Sequence, residues 1–206
     1  MTIRSVCGDN DYSDWEQNPD NNGNGPDIYT TTNCLSSYSL PYFNDFGEVD
    51  PATGQPNAEA INNWSSCNTF YSLDSDSPNP GYVNFWHITP LDASNVAAVS
   101  YSWFQNQILS PDNWFILGPM DLTNEPDALL TWDMAIFDTT YYADNYTVYV
   151  GTSNQTQDLI DSSLVTFNEI PQPADAGQLN PRELDISAAV GNLSLIHISE
   201  PTRRDQ

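Results

Sequence analysis

Acidic side chains are the residues of this sequence whose type and spacing best suit a chemical task. Asp74 and Asp76 stand two positions apart in the turn-rich stretch SLDSDSPNPG, and Asp45 lies earlier in YFNDFG. Carboxylates at this spacing in a turn can converge with backbone carbonyls on Ca²⁺, which takes oxygen ligands. These three residues predict a structural calcium site. A solvated acidic turn is the alternative, because the stretch lacks the glycine and the distal glutamate of an EF-hand loop.

Residues suited to catalysis are scarce. His87 stands beside Trp86 in NFWHITP, and the second histidine, His197, lies near the C-terminal end. A lone histidine in an apolar, strand-like run is more often a packed residue than a general base. The sequence contains neither HExxH nor GxSxG, and its 28 Asp and Glu residues single out no pair as glycosidase carboxylates. We therefore predict that the chain is not an enzyme.

Two tryptophans are the candidates for ligand binding. Trp64 lies in INNWSS and Trp86 in NFWHI, and the flat face of an aromatic ring can stack on a sugar ring. The alternative is that both belong to the core.

The cysteines are Cys7, Cys34 and Cys67. Because they form no CxxC pair and have no histidine near them, they argue against zinc. In an oxidising compartment one pair, such as Cys34 with Cys67, would form a disulfide. Three free thiols are the alternative, since the odd number leaves the pairing open.

The formal charge of −24 restricts the partners. Four arginines and no lysine oppose the 28 acidic residues, so repulsion argues against nucleic acid and anionic membrane surfaces. The sequence contains no run of about 18 apolar residues that could span a bilayer. The start MTIRSVCGDND lacks the apolar core of a signal peptide, while the Asn-, Asp-, Ser- and Thr-rich composition is typical of extracellular or salt-adapted proteins. We expect a fragment of a secreted or cell-surface protein, and the charge leaves cations, neutral glycans and basic proteins as its partners.

Short apolar stretches between turn clusters predict β-strands that would position these residues. The stretches are rich in Val, Tyr, Phe and Trp, which favour strands. They are SLPYFNDF, GYVNFWHI, NVAAVSYSWF, NWFILGPMDL, ALLTWDMAIF, NYTVYVGT and SLVTFNEI. LDISAAVG suggests a short helical turn. Without a βαβ rhythm or a phosphate-binding glycine loop, the pattern predicts an all-β antiparallel sandwich or jelly roll.

The alternating residues identify the faces of two of these strands. In PDNWFILGPMDL, the run Trp114 to Leu117 predicts a central strand covered on both faces, with Trp114 and Ile116 on one side. In ALLTWDMAIF, alternation places Trp132 on a buried face.

The order of these motifs resembles the cleaved adhesin or choice-of-anchor J family. The motifs are LPYFNDFG, NNW, SLDSDSP, AVSYSWF, PDNWFILGPMDL, ALLTWDMAIF, NYTVYVGTS and RELDISAAVG. PDNWFILGP is similar to the family's Pro-Asp-Asn-Trp-Leu-Ile-Ser-Pro strand, with Phe115 in place of the usual Leu and Gly118 before Pro119. The resemblance implies a jelly-roll module of secreted Bacteroidota surface proteins, which are often attached to peptidases or adhesins. It also implies that an acidic residue of the first strand and an acidic turn lie near one edge of the sandwich.

The resemblance and the local composition together divide the chain into three segments. Residues 1–39 are dense in turn formers and predict a linker or the end of a preceding module. Residues 40–192 carry the resemblance and predict the adhesin-like sandwich domain, truncated before its last pair of strands. In residues 193–206, the stretch Leu193 to Arg203 resembles a translated sequencing adapter, so we expect a non-native tail. A genuine terminal strand is the alternative, because LSLIHIS alternates and would fit an open sheet edge.

The sequence thus predicts a non-catalytic extracellular module that binds a glycan or a host or surface protein, with structural calcium. The alternative is an accessory domain of a secreted peptidase or glycosidase whose catalytic part lies outside this sequence.

Overall fold

The computed structural model describes residues 4–6, 12–14, 27–30, 37–64, 69–72, 86–104, 107–109 and 111–200. Over these residues the chain forms sixteen strands, two seven-residue helices, and 3-10 turns at Pro173–Asp175 and Ser187–Ala189. The helices are α1 (Ala58–Trp64) and α2 (Thr156–Ser162). The strands are β1 (Arg4–Val6), β2 (Tyr12–Asp14), β3 (Asp27–Thr30), β4 (Val49–Asp50), β5 (Gln55–Pro56), β6 (Thr69–Ser72), β7 (His87–Pro90), β8 (Val96–Val99), β9 (Trp103–Phe104), β10 (Gln107–Ile108), β11 (Asn113–Asp121), β12 (Leu129–Met134), β13 (Tyr146–Gly151), β14 (Val165–Glu169), β15 (Asn180–Asp185) and β16 (Leu193–Glu200).

One six-stranded sheet forms the larger layer, in the order β14-β13-β16-β11-β6-β3. The pair β12–β15 forms a second, smaller layer, and the other strands form two-stranded hairpins. Every strand pair in the described part of the chain is antiparallel. The predicted all-β antiparallel sandwich is confirmed.

The core fills the space between these two layers. Alternation along β13 directs Val148 and Val150 inward, and both are almost fully buried. From the smaller layer, Leu130 and Trp132 of β12 and Leu184 of β15 pack against the same cluster. Trp132 meets Phe167 edge-on at a centroid distance of 5.2 Å but is only half-buried, because β12 belongs to a narrow outer layer. The alternation predicted for β12 is confirmed, whereas Trp132 is more exposed than predicted.

The predicted central strand β11 is buried on both faces. Trp114, Phe115 and Ile116 are 2%, 0% and 3% exposed, and Trp114 stacks on Tyr149 at 5.5 Å. After Leu117 the pairing of β11 with β16 shifts register at Gly118, whose φ of +113° suits glycine and strains other residues. The glycine before Pro119 thus makes room for an irregularity within a long strand.

The structure differs from the predicted strands in two regions. SLPYFNDF forms no strand, since the side chains of Asn44 and Asp45 accept the backbone N–H groups of Phe46 and Gly47, each at 2.9 Å, and close successive turns. The helices α1 and α2 were not predicted, because one or two turns are too short to show a 3.6-residue period. Helix α1 begins where the Asn57 side chain accepts the N–H of Ala60 at 2.7 Å.

The ends of the predicted domain also take part in the large sheet. Asp27–Thr30, within the segment assigned to a linker, pairs with β6 as the edge strand β3. Four residues with a single aliphatic side chain are too few for an apolar pattern to be visible. Leu193–Glu200 lies between β13 and β11, and therefore occupies an interior position of the sheet rather than an edge. The domain boundaries and the non-native origin of the tail stay predictions.

Arg182 connects the two layers and is the one arginine whose side chain the structure describes. From β15 its Nε donates to both carboxylate oxygens of Glu169 in β14 at 2.9 Å, and its Nη2 lies 3.1 Å from Asp175. Hydrogen bonds to Glu169 raise the pKa of Arg182, so the cation is maintained. Tyr146 also donates to Glu169, at 2.5 Å, and in turn accepts the indole N–H of Trp132 at 3.2 Å. This network gathers polar groups of four strands beside the core.

Neither helix in the described residues is long and apolar enough to cross a membrane.

Replacing the side chain at the centre of β11 tests the packing. Phe115→Ala is expected to lower the free energy of unfolding by about 3–5 kcal/mol, because a fully buried phenyl ring leaves a cavity. Phe43→Ala, the same change at a site that is 84% exposed, should alter it by about 0.5 kcal/mol or less. Urea denaturation of both variants measures this difference. Similar losses in the two variants would contradict the assignment of β11 as the buried centre.

Candidate binding site

Asp45, the first predicted calcium ligand, lies on a well-defined surface loop. Exposure alternates from residue 41 to residue 45, so that Phe43 and Asp45 point to solvent while Tyr42 and Asn44 point inward. The Oδ1 atom of Asp45 accepts the N–H of Gly47, which fixes the direction of the carboxylate. The loop therefore presents one aromatic and one acidic side chain on the same exposed side.

Two contacts on the buried side of this loop, made by Phe46 and Gly47, fix it to the rest of the domain. The Phe46 ring lies 6.2 Å from the ring of Phe115, and Phe46 has φ of +58°, which closes the loop. Gly47 has φ of +90°, and a Cβ placed on it would lie 2.5 Å from the Cβ of Ala60 in α1. Only glycine allows this close approach to the helix without a shift. Residues 42–47, called the Phe43 loop below, are thus held from two sides.

Trp86, a predicted stacking residue, packs against the same aromatic ring. Its ring centroid lies 6.2 Å from that of Phe115, and its Nε1 donates to the backbone carbonyl of Asn113 at 3.2 Å. The residue is half-buried. The indole N–H of Trp86 already has a partner, and part of the ring surface is covered. Trp86 therefore has less ring surface available to a ligand than an exposed aromatic residue has. Its role in binding stays a prediction.

The remaining predicted site residues are only partly covered by the structure. Trp64 is the last residue of α1, but its side chain lies outside the described part. Asp74 and Asp76 lie outside the described residues, as do Cys7, Cys34 and Cys67. The last described residue before the two aspartates is Ser72, which pairs with Asn113 at the start of β11. Since Trp86 binds the carbonyl of Asn113, the end of β6 and Trp86 lie at the same end of the sheet.

A calcium site cannot be assembled from the described residues alone. Within them no group of three or more His, Cys, Asp or Glu side chains is placed to hold a metal ion. Asp45 is the one predicted ligand that the structure describes, and it is exposed and oriented by its own loop. The calcium site therefore stays a prediction that depends on Asp74 and Asp76.

The two histidines occupy contrasting positions. The ring of His87 in β7 lies 5.1 Å from that of Tyr101, as expected of a packed residue. His197 in β16 is 0% exposed, and neither ring nitrogen has a hydrogen-bond partner among the described residues. Burial lowers the pKa of His197 to about 3, and the nearby backbone of Ser153 opposes part of this shift. A histidine closed off from solvent cannot exchange protons with a substrate.

Sequence reasoning missed Phe43, the most exposed large hydrophobic residue described. The signal was present, because Tyr42 and Phe43 are adjacent aromatics and the turn residues Asn44 and Asp45 follow them. In an extended segment, adjacent side chains point to opposite sides, so one of the two aromatics had to face outward.

Comparison with solved structures places the fold among cleaved adhesin domains. The K2 cleaved adhesin domain of Lys-gingipain is similar with a TM-score of 0.50 at 17% sequence identity, over 68% of this chain and 83% of that one. The K3 domain of the same protein from Porphyromonas gingivalis has a TM-score of 0.46 at 18% identity, over 66% and 82% of the two chains. No family model matches the sequence, and no curated protein matches it. The likeness to the K2 domain is one of fold.

The buried histidine predicts acid sensitivity. From pH 7 to pH 5 its contribution should lower the free energy of unfolding by about 2 kcal/mol, because the unfolded chain binds a proton near pH 6.5 whereas the folded chain resists protonation down to about pH 3. The contribution of His197 to stability is thus retained above pH 6.5 and is lost as the pH falls below that value. Urea titrations at both pH values should show a smaller loss for His197→Ile than for the parent chain. Equal losses would contradict the burial of His197.

Proposed function

We propose that the chain is a non-catalytic adhesion module of the secreted or cell-surface compartment that binds neutral glycans through the Phe43 loop. The observation that carries this proposal is the 84% exposure of Phe43 beside the exposed Asp45 on a loop anchored to the core. Single exposed apolar side chains are common on protein surfaces, so what favours a ligand here is the pairing of this ring with an oriented carboxylate on the same anchored loop. The face of the ring suits the apolar face of a sugar ring, and the adjacent carboxylate accepts hydrogen bonds from hydroxyl groups.

The charge of the chain supports neutral rather than anionic ligands. With a formal charge of −24, the protein repels sulfated, sialylated or phosphorylated molecules at long range. A neutral glycan experiences no such repulsion, and hydrogen bonds and stacking act only at contact. The similarity in fold to an adhesin domain and the sequence resemblance to the cleaved adhesin or choice-of-anchor J family support the same function.

A surface protein is the second class of partner that this module could bind. Other exposed aromatic residues, Phe137 at 65% and Tyr141 at 63%, provide apolar area apart from the Phe43 loop in sequence. Aromatic residues are enriched at the centres of protein interfaces. We prefer glycan binding because the Phe43 loop presents an aromatic ring, Phe43, together with an oriented hydrogen-bond acceptor, the Asp45 carboxylate.

The alternative function is that of an accessory domain within a larger secreted enzyme. One observation favours it, since the similar K2 domain is a part of Lys-gingipain, a larger named protein. In that arrangement the module would still bind a ligand, and it would serve to place an attached domain near its target. The two proposals share the binding site and differ in what the site is attached to.

Substitution of the exposed ring tests glycan binding. On an array of neutral glycans, Phe43→Ala should weaken binding by about tenfold, which corresponds to about 1.4 kcal/mol of lost stacking. Phe137→Ala, the same change at another exposed phenylalanine, should bind as the parent chain does. Equal binding by parent and Phe43→Ala would exclude the Phe43 loop, and failure to bind any neutral glycan would contradict the proposed ligand class.

Thermal melts test the proposed structural calcium. Binding to the folded state alone should stabilise the parent chain by about 2.7 kcal/mol at a hundredfold excess of calcium over Kd, so the melting temperature should rise relative to that in chelator. The rise should disappear in the double variant Asp74→Ala with Asp76→Ala and diminish in Asp45→Asn. Asp138→Asn serves as control, because Asp138 is also an exposed turn residue that accepts backbone N–H groups. A response that survives the double variant would remove these residues from the site.

A further inference from the structure

The backbone of β16 pairs with a neighbouring strand on each side, with one irregularity opposite Gly118 and Pro119 of β11. It pairs with β11 from Asn113 opposite Glu200 to Asp121 opposite Leu193, and with β13 from Thr147 to Gly151. Both neighbours are largely buried strands, so their hydrogen-bonding groups on these edges need a partner. The space between β11 and β13, called the strand slot below, is therefore an essential part of the fold.

Two side chains of β16 do not fit the strand slot. His197 lies between Ile116 and Tyr149 in the register and is 0% exposed. Neither of its ring nitrogens meets hydrogen-bond geometry, although the backbone of Ser153 is close enough to favour the charged ring. Ser194 is also 0% exposed, and its Oγ has no hydrogen-bond partner among the described residues. Buried polar groups are normally paired, because an unpaired one loses its hydrogen bonds to water. Because the two residues are three positions apart in a strand, they lie on opposite faces of the sheet, and each is mismatched with a different wall of the slot.

A cavity adjoins one of these two residues. It has a volume of about 100 Å³ between the two layers, and Ser194 lines it together with apolar side chains that include Leu122, Leu130, Val150 and Ile186. The cavity is partly open to solvent, because the exposed residues Leu129 and Thr131 also line it. The hydroxymethyl group of Ser194 is the smallest side chain in the wall of this cavity. The empty volume and the unpaired hydroxyl thus occur at the same position.

We infer that the strand slot is built for a strand that carries a large aliphatic side chain where Ser194 stands and an apolar side chain where His197 stands. One cause then explains the cavity, the unpaired hydroxyl and the unpaired imidazole. An aliphatic residue at position 194 would fill the cavity, and one at position 197 would meet Ile116 and Tyr149 without an unpaired polar atom. LSLIHISE satisfies the backbone of the slot, but its side chains at these two positions do not match the walls.

This inference adds a structural argument to the expectation that residues 193–206 are not the domain's own strand. Edge pairing rewards any alternating apolar segment, so LSLIHIS can enter the slot whatever its origin. Packing is more selective, because a core tolerates few changes of volume or polarity without loss. The mismatch lies in the side chains and not in the backbone pairing. This is what we expect of a strand whose sequence did not evolve together with the rest of the core.

Stability measurements on the full chain test the chemistry of the slot. At pH 8, where the histidine is neutral in the folded and the unfolded chain, Ser194→Leu and His197→Ile should each raise Tm by about 2–4 °C. The matched control is Ser199→Leu, since Ser199 is a buried serine of the same strand that does not line the cavity. We expect this control to lower Tm, because Ser199 is 3% exposed and a larger side chain there would have to displace its neighbours.

Three results would overturn the inference. Unchanged or lower Tm in both Ser194→Leu and His197→Ile would show that the slot accepts the present side chains as well as aliphatic ones. An equal rise in Ser199→Leu would show that added hydrophobicity anywhere in the strand stabilises the chain. A crystal structure in which Ser194 and His197 are bonded to ordered water, without a cavity, would remove the mismatch itself.

Discussion

The large sheet depends on the hydrogen bonds that β16 makes on both of its edges. This strand is the one connection between β14–β13 on one side and β11–β6–β3 on the other. Without an occupant in the strand slot, two largely buried strands would each have an unpaired edge, which is costly away from water. Because backbone groups are the same in every residue, this requirement can be met by many sequences. Fewer sequences also have side chains that match the walls of the slot. At Ser194 and His197 the backbone requirement is met, but the side-chain requirement is not.

The strong negative charge affects solution behaviour and partners more than it affects the fold. Repulsion among the 28 acidic residues acts over long distances and is weakened by salt, whereas the Arg182 network acts at contact. That network places Glu169 and Asp175 around a single guanidinium group, with 20% exposure at Arg182 and Glu169. Its gain is limited by this exposure, and its geometric effect is to fix the spacing of β14 and β15. The apolar core between the layers remains the main source of stability.

The sequence predicted the elements whose signals are local and missed those that depend on tertiary contacts. The run from Trp114 to Leu117 identified a strand buried on both faces, and the alternation in β12 identified a strand with one face towards the core, because the two-residue period is visible in the sequence itself. The strand β3 carries too few apolar residues to be seen without its partner β6. In the predicted site, Asp45 is exposed as a ligand must be, but Trp86 is half-buried because Asn113 and Phe115 lie against it. Which neighbour covers an aromatic ring cannot be read from one sequence.

Phe115 links the stability of the sandwich to the presentation of its surface loop. The same ring that lies in the fully buried centre of β11 packs against Phe46 and Trp86. Under the proposed function, a loop held by the core would lose little conformational entropy when a ligand binds, so contacts to Phe43 and Asp45 would be retained as affinity. Positive φ at Phe46 and the close contact of Gly47 with Ala60 are compatible with this, because strained loop geometry persists only where the surrounding structure enforces it. Exposure of Phe43 is therefore a property built into the fold rather than a failure to bury an apolar residue.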